Sequence, residues 1–183
     1  ANYLELLERG CDAAFFVGIH ARAGTPGGVL CHTVSPSTWI EMAINEFPVG
    51  EIGIVAALCG HYSVPLALVT GDDKACIEAR ELLGDQITTV PVKKGLGRFS
   101  ARHIAPVRAR RLIEEGARSA LKSLSNISPF IPDRPTSVRF EILTADKFDQ
   151  YRHIEGLELR EPHTVISKGA DFLEAWKRIA PFR

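Results

Sequence analysis

Two histidines frame a glycine-rich segment near the beginning of the sequence, FFVGIHARAGTPGGVLCHTV at residues 15–34. His20 directly follows an apolar run, and His32 closes the loop that contains TPGG. An imidazole can bind a transition metal or exchange a proton near neutral pH. A single histidine at the end of a strand is also often only a polar residue there, so the spacing alone leaves both interpretations of His20 open.

Glu51 is the third residue whose type suits this chemistry. It lies in FPVGEIG, at the predicted first turn of a helix, where the helix macrodipole already favours a carboxylate. That position gives Glu51 a purely structural explanation. Two imidazoles and a carboxylate are also donors that zinc accepts. The metal hypothesis requires His20, His32 and Glu51 to converge in one cleft.

Other polar residues have simpler explanations. His61, in CGHYSVP, is expected to cap the preceding helix and to be structural. Asp72 and Asp73 stand at a strand-to-helix junction, where one aspartate caps the helix and the other can face the same crevice as His20. The basic residues between positions 93 and 118 are typical of a solvated helix face. No P-loop, G-x-S-x-G or H-E-x-x-H motif occurs in the sequence.

Alternating strands and helices must position these residues. Short apolar runs predict buried strands at residues 13–18, 64–70 and 87–92. Helical spacing and capping residues predict helices at 49–58, 73–83 and 106–124. A further strand at 39–44 ends in Asn45-Glu46, a dipeptide suited to a hairpin turn. This order predicts a layered α/β fold, a largely parallel sheet flanked by helices, in which ligands bind at the carboxyl ends of the strands.

The carboxyl-terminal part of the sequence has a different order of predicted strands and helices. After a break at residues 125–135 that is rich in proline, strands are predicted at 137–143 and 164–167, and helices at 145–152 and 170–179. We therefore expect an α/β core over residues 1–130 that carries the site, and a small α+β subdomain over residues 131–183. At the other end, residues 2–9 are typical of the last turns of a helix that Gly10 closes.

Composition argues against several classes of protein. Lys and Arg together number 22, as do Asp and Glu, so the formal charge of zero gives no reason to expect nucleic acid as a partner. The least charged stretch, residues 52–71, is broken by Gly60, His61 and Pro65, so no membrane span is expected. Four cysteines without C-x-x-C spacing suggest mostly buried thiols in a reducing compartment, and we expect a cytoplasmic protein.

Four blocks of sequence resemble the zinc-dependent D-aminopeptidase family, the dipeptide-operon type of self-compartmentalising metallopeptidase. The blocks are FFVGIHARAGTPGGVLCHT, INEFPVGEIGI, CGHYSVPLALVTGDD and VKKGLGRFSARHIAPVRARRLIEEGA, and their order and spacing match over about residues 1–180. The resemblance implies two zinc ions and a ring-like homo-oligomer that hydrolyses short peptides with an amino-terminal D-residue, such as D-alanine. It implies attack by a metal-bound hydroxide on the peptide carbonyl. By their match to the family motifs, His20 and Glu51 are implied as metal ligands and His32 as the catalytic histidine.

The sequence also departs from the family pattern. Family members carry an Asp-x-Glu-Gly strand and a further histidine ahead of the region where this sequence begins, and these residues supply the remaining ligands. His20 and Glu51 do not complete a site for two metals, because a catalytic zinc normally has about three protein ligands. We therefore expect the chain alone to be catalytically incomplete. Two alternatives stay open: a catalytically silent structural or binding subunit of the same fold, and another metal-assisted amidohydrolase.

Overall fold

The computed structural model describes residues 6–179, which form nine strands and five α-helices. The strands are β1 (Ala14–Ile19), β2 (Trp39–Ile44), β3 (Phe47–Pro48), β4 (Leu66–Asp72), β5 (Thr88–Gly97), β6 (Ser100–His103), β7 (Thr136–Ile142), β8 (Leu157–Arg160) and β9 (Thr164–Gly169). The helices are α1 (Glu51–His61), α2 (Asp73–Leu83), α3 (Pro106–Lys122), α4 (Ala145–Asp149) and α5 (Phe172–Ile179). The strands assemble into two separate sheets.

The first sheet has the strand order β1-β4-β5-β6. β1, β4 and β5 are parallel, and β6 returns antiparallel along the outer side of β5. All residues of the central strand β4 are buried, which fits its continuous apolar sequence. The predicted α/β fold with a largely parallel sheet is confirmed. Because β1, β4 and β5 run in the same direction, their carboxyl ends meet at one edge.

The second sheet has the order β3-β2-β7-β9-β8 and is antiparallel throughout. The predicted hairpin turn is present, because Asn45 and Glu46 both have positive φ, 46° and 66°, as a type I′ turn requires. β7 alternates buried and half-buried residues, so one of its faces belongs to the core. The pairing of β2 with β7 joins residues from the ranges 1–130 and 131–183 in one sheet.

Helices cover both faces of the first sheet. α3 packs on one face, where Ala120 contacts the core around β4 and β5. α1 and α2 cover the other face, and Ile52 and Ala56 of α1 belong to the core beneath them. Ile54 and Leu58 of the same helix belong to a second core, formed with the second sheet and α5. α1 is therefore apolar and buried on all sides.

The bounds of α1 differ from the prediction. The helix predicted at residues 49–58 begins at Glu51 and continues to His61, so the prediction starts it two residues too early and ends it three residues too early. Gly60 stays helical because it packs directly against the backbone of Phe130, whose carbonyl oxygen would overlap any Cβ at this position. Glycine disfavours the interior of a helix, but a close tertiary contact of this kind can outweigh that preference.

Two strands, β6 and β8, have no counterpart in the sequence prediction. Their sequences, SARH and LELR, are short and partly polar, and they form strands because their backbones pair with β5 and β9. The basic residues between positions 93 and 118 are consequently divided between two elements. Those up to residue 103 lie on the β5–β6 hairpin, and only those from residue 106 onward lie on α3. The prediction that these basic residues lie on a helix face is therefore wrong for those up to residue 103.

The helix tail predicted at residues 2–9 is described only from residue 6. Leu7–Arg9 form a single 3-10 turn, and Gly10 follows with a φ of 84°, as expected of a closing glycine. The prediction for residues 2–5 lies outside the described residues. Within residues 6–179, no helix combines the length and the apolar character that crossing a membrane requires.

All four cysteines are free thiols. Cys59 and Cys76 are buried, and burial raises the pKa of each thiol to about 11. At neutral pH both are protonated and therefore unreactive. The prediction of mostly buried thiols holds for these two residues and is wrong for Cys11, which is exposed.

Candidate metal centre

His20 and Glu51 are brought together by two elements that meet at the carboxyl edge of the first sheet. His20 follows β1 directly, and Glu51 is the first residue of α1. Nε2 of His20 lies 3.4 Å from Oε2 of Glu51, and the two side chains are 19% and 12% exposed. A strand end and a helix start thus place an imidazole against a carboxylate in a largely closed site.

The hydrogen bonding of His20 leaves its Nε2 atom free. Nδ1 is 3.0 Å from the carbonyl oxygen of Ala21, and because a carbonyl oxygen only accepts, Nδ1 carries the proton of the neutral ring. Nε2 then presents its lone pair to Oε2 of Glu51. That oxygen is buried and has no hydrogen-bond partner among the described residues. Two acceptors that face each other in a buried site are satisfied by a cation between them.

His32 completes the cluster from the glycine-rich loop. Its ring stacks on the ring of His20, with the centroids 3.9 Å apart and the planes inclined by 25°. Nδ1 of His32 donates to the carbonyl oxygen of Leu30 at 2.7 Å, so Nε2 is again the atom with the lone pair. One donor atom each from His20, His32 and Glu51 lies within 4.8 Å of the other two. The structure brings together the three residues that the sequence singles out.

The donor set and its spacing fit a zinc ion. Zinc binds imidazole nitrogen and carboxylate oxygen at about 2.0–2.2 Å in tetrahedral geometry, so two donors on one ion lie about 3.4 Å apart. The separation of His20 Nε2 and Glu51 Oε2 has this value, 3.4 Å. The buried oxygen of Glu51 that has no hydrogen-bond partner among the described residues independently fits a role as a cation ligand. His20 and Glu51 would supply two of the about three protein donors that a catalytic zinc site has, and His32 has a donor atom within 4.8 Å of both.

A carboxylate of α2, Glu78, connects the two segments that carry the donors. Its Oε2 accepts a hydrogen bond from the backbone N–H of Arg22 at 2.7 Å, and its Oε1 accepts one from Gly50 at 3.2 Å. These N–H groups lie two residues after His20 and one residue before Glu51. Burial raises the pKa of Glu78 to about 7, although the two N–H donors and the charge of Arg22 oppose this effect.

Sequence reasoning does not find Glu78. It lies in IEAREL, a stretch of α2 that carries other charged residues and has the composition of an ordinary solvated helix face. Its role depends on which two backbone segments meet beside it, and that is a tertiary property.

Gly50 allows the chain after His20 to approach the start of α1. A Cβ at Gly50 would lie 2.7 Å from the Cβ of Arg22 and 2.9 Å from Oε1 of Glu78. No side chain fits there unless one of these segments moves. The glycine before Glu51 is therefore needed for the close packing of the two donor-bearing segments.

Two aspartates hold the loops around the site. Asp72 is fully buried, and its Oδ1 accepts from the N–H of Ala75 at 2.8 Å, which makes it the predicted N-cap of α2. Its Oδ2 accepts from the N–H of Val29 in the glycine-rich loop at 2.6 Å. Asp73 holds the β5–β6 hairpin, because its Oδ1 accepts from the N–H of Gly95 at 2.8 Å. Both aspartates therefore anchor backbone segments that surround the cluster.

The glycine-rich loop bends sharply before His32. Leu30 has a φ of 53°, a left-handed conformation that residues with a Cβ seldom adopt. Its N–H donates to the carbonyl oxygen of Arg98 at 2.7 Å. Strained backbone of this kind is concentrated at functional sites. Beside His32, a cavity of about 400 Å³ opens between this loop, Trp39 and Arg98.

His61 does not belong to the cluster. It is the last residue of α1 and Glu51 is the first, and ten residues of helix separate them by about 15 Å. Its Nδ1 lies 3.3 Å from Oδ2 of Asp171, the residue before α5. The N–H of Glu174 and the neighbouring His61 lower the pKa of Asp171. This contact between α1 and the start of α5 supports the predicted structural role of His61.

Known proteins are similar to this chain over almost its whole length. A family model described as D-aminopeptidase matches residues 2–180. A D-aminopeptidase of Bacillus subtilis (strain 168) is 35% identical over 178 residues, which are 96% of this chain and 64% of the relative. A solved structure, the Zn-dependent D-aminopeptidase DppA from Bacillus subtilis, described as a self-compartmentalizing protease, matches with a TM-score of 0.86 at 32% identity, over 92% of this chain and 61% of that one. The chain thus spans a little under two thirds of the length of these relatives.

Proposed function

Because this chain belongs to the D-aminopeptidase family, we propose that it carries catalytic residues of a zinc-dependent hydrolase of short peptides that begin with a D-amino acid such as D-alanine. The observation that carries the proposal is the cluster of His20, His32 and Glu51, with three donor atoms within 4.8 Å and one buried carboxylate oxygen without a partner. The name of the solved relative includes zinc, and the donor set here suits that metal.

In this proposal His20 and Glu51 hold the ion. The hydrogen bond to Ala21 keeps the proton of His20 on Nδ1, so Nε2 stays available as a ligand without a change of tautomer. Glu51 supplies a negative charge that offsets part of the charge of the ion. A bound zinc ion supplies a Lewis acid, which polarises a peptide carbonyl and makes water more acidic.

His32 moves the proton. Its Nδ1–H is fixed on Leu30, so Nε2 can accept a proton from the attacking water and return it to the departing nitrogen. One water is consumed for each peptide bond broken, and the proton ends on the new amine. The stacking of His32 on His20 supports this role, because it keeps Nε2 beside the donors without requiring it to be a ligand.

We further propose a second zinc ion and a ring-like homo-oligomer. A second ion needs more donors than these three residues offer, and the relatives have additional length in which such donors can lie. The oligomer is proposed because the solved relative is described as self-compartmentalizing. We expect the assembly in the cytoplasm, where free cysteines such as those seen here persist.

The experiment combines metal content with stereochemistry. Protein that includes the upstream segment, in which the remaining ligands are expected, is purified, analysed for zinc by mass spectrometry and assayed with D-alanyl and L-alanyl amides. We expect bound zinc, hydrolysis of the D-substrate only, and loss of turnover after chelation. Bound zinc with no preference for the D-substrate would favour another metal-assisted amidohydrolase. Neither zinc nor turnover would favour a catalytically silent subunit.

A further inference from the structure

The cavity beside His32 is a mainly apolar recess with one cationic side chain at its edge. Its volume is about 400 Å³, within the range of small-ligand sites. Trp39, Ile40 and Leu143 supply apolar lining, and Arg98 is the residue with a permanent positive charge. Among residues 6–179, no Asp or Glu belongs to the lining. A ligand that fits this recess therefore has an apolar part and an anionic group.

The backbone holds Arg98 at this position. It lies at the tip of the β5–β6 hairpin, and its carbonyl oxygen accepts a hydrogen bond from Leu30 in the loop that carries His32. A second hydrogen bond, from Gly95 to Asp73, ties the same hairpin to the start of α2. The tip is thus held on the glycine-rich loop, so the backbone of Arg98 lies beside the loop that carries His32.

The guanidinium of Arg98 is available for a ligand. Among residues 6–179 it forms no ion pair, and its charged carbon lies 5.4 Å from the centre of the Phe99 ring. An arginine binds a carboxylate through two parallel N–H donors. It repels an ammonium group. The charge at this edge therefore decides which end of a short peptide enters the recess.

We propose that this recess is the subsite for the carboxyl-terminal half of the substrate, and that Arg98 binds the free terminal carboxylate. The inference rests on the proposed peptidase function and assigns, among its substrates, a preference for dipeptide-sized compounds that end in a carboxylate. In a dipeptide the scissile carbonyl and the terminal carboxylate are one residue apart, about 3.3–3.6 Å of extended chain. His32 and Arg98, which line one cavity, can then face these two groups at the same time.

The test measures binding without turnover. Metal-free protein is titrated by NMR with D-alanyl-D-alanine and with its carboxyl-terminal amide, which lacks the negative charge. We expect the acid to bind about tenfold more tightly than the amide, as a hydrogen-bonded charge pair contributes. Arg98→Met should remove this difference and leave binding of the amide unchanged, and Arg98→Lys should restore part of it. The matched control is Arg102→Met, an exposed arginine on β6 that does not line the cavity.

Equal affinities for the acid and the amide in the unchanged protein overturn the inference. So does a preference for the acid that survives Arg98→Met, and so does the absence of binding by either probe. The proposed peptidase function is judged separately, by the zinc content and turnover of the loaded protein. Equal hydrolysis of D-alanyl-D-alanine and its carboxyl-terminal amide would support the proposed peptidase function. It would contradict the assignment of Arg98 to the carboxylate subsite.

Discussion

Glu78 accepts a 2.7 Å hydrogen bond from the backbone N–H of Arg22, and through its other oxygen it also holds the residue before Glu51. One side chain of α2 therefore sets the distance between the end of β1 and the start of α1. The two proposed zinc ligands reside on those two elements. Support of this kind around a metal site is usual, because outer contacts orient the donors.

We expect Glu78 to make the folded protein less stable as the pH rises. Its pKa is raised from 4.5 to about 7 in the folded state, so the folded state holds a proton that the unfolded state releases. This contribution is complete below about pH 4.5 and is lost as the pH rises through about 7. The loss is on the order of 3 kcal/mol in the free energy of unfolding. Urea unfolding of metal-free protein between pH 4 and 8 measures it.

The variant Glu78→Gln tests this assignment, because glutamine has the shape of a protonated glutamate and does not titrate. The fall in stability should be smaller in this variant by the stated amount. Glu81→Gln, at an exposed position of the same helix, should keep the fall of the unchanged protein. The charges that face Glu78 are Arg22 and Glu51, which act in opposite directions. An identical slope in Glu78→Gln and the unchanged protein would show that another group is responsible.

Substitutions at Glu51 and His32 should separate metal binding from proton transfer. Glu51→Ala removes the donor whose oxygen lies 3.4 Å from His20, and we expect loss of zinc together with loss of turnover. His32→Ala should retain zinc and lose about 100-fold or more in turnover, the usual contribution of a general acid or base. Zinc content per chain, determined beside turnover, distinguishes the two variants. Equal loss of zinc in both would make His32 a third ligand.

Asp72→Asn should loosen the loop that carries His32. An asparagine offers one oxygen acceptor, so either Val29 or Ala75 loses its partner for a buried N–H. We expect a loss of about 2 kcal/mol in the free energy of unfolding. Turnover should also fall while zinc stays bound, because the proposed ligands His20 and Glu51 are on other segments.

The exposed residue Asp85 provides the control for this variant. Asp85→Asn should change neither stability nor turnover, and both effects are measured by urea unfolding and steady-state assay. Unchanged turnover in Asp72→Asn, at the expected loss of stability, would mean that the Val29 contact does not position His32.

His61→Ala should affect stability alone. The contact with Asp171 is partly exposed, with the side chains 28% and 26% accessible, so we expect a loss of at most about 1 kcal/mol in the free energy of unfolding. Turnover should not change, since about 15 Å of helix separates this residue from Glu51. Thermal unfolding and the peptidase assay together check both statements. A large fall in turnover at unchanged stability would contradict the structural role.

Elements whose sequence pattern is local could be predicted. The apolar run of β4 and the Asn45-Glu46 turn indicate their structures through composition and backbone preference, and both are present. β6 and β8 could not be predicted, because their strand conformation comes from pairing with a neighbour rather than from their own residues. The end of α1 was predicted too early for a similar reason, since Gly60 packs against Phe130, 70 positions away in the sequence.

The candidate site divides in the same way. His20, His32 and Glu51 are visible in the sequence because their residue types suit a metal and their motifs resemble a family. Glu78 and Arg98 are not, since each depends on segments far along the chain that the fold brings to it: Gly50 for Glu78, and Leu30 for Arg98. Their importance follows from contacts with backbone, which leave no pattern in the order of residues.

Helix α1 begins with Glu51 and then passes between the two hydrophobic cores. A helix packed on every side moves as a rigid rod, so any repacking beneath Ile52 or around Leu58 is transmitted to its first residue. Substitutions far from the cluster, in either sheet, can therefore weaken zinc binding without touching a donor. The zinc content of a variant would then report on the packing around α1 as well as on the proposed donors.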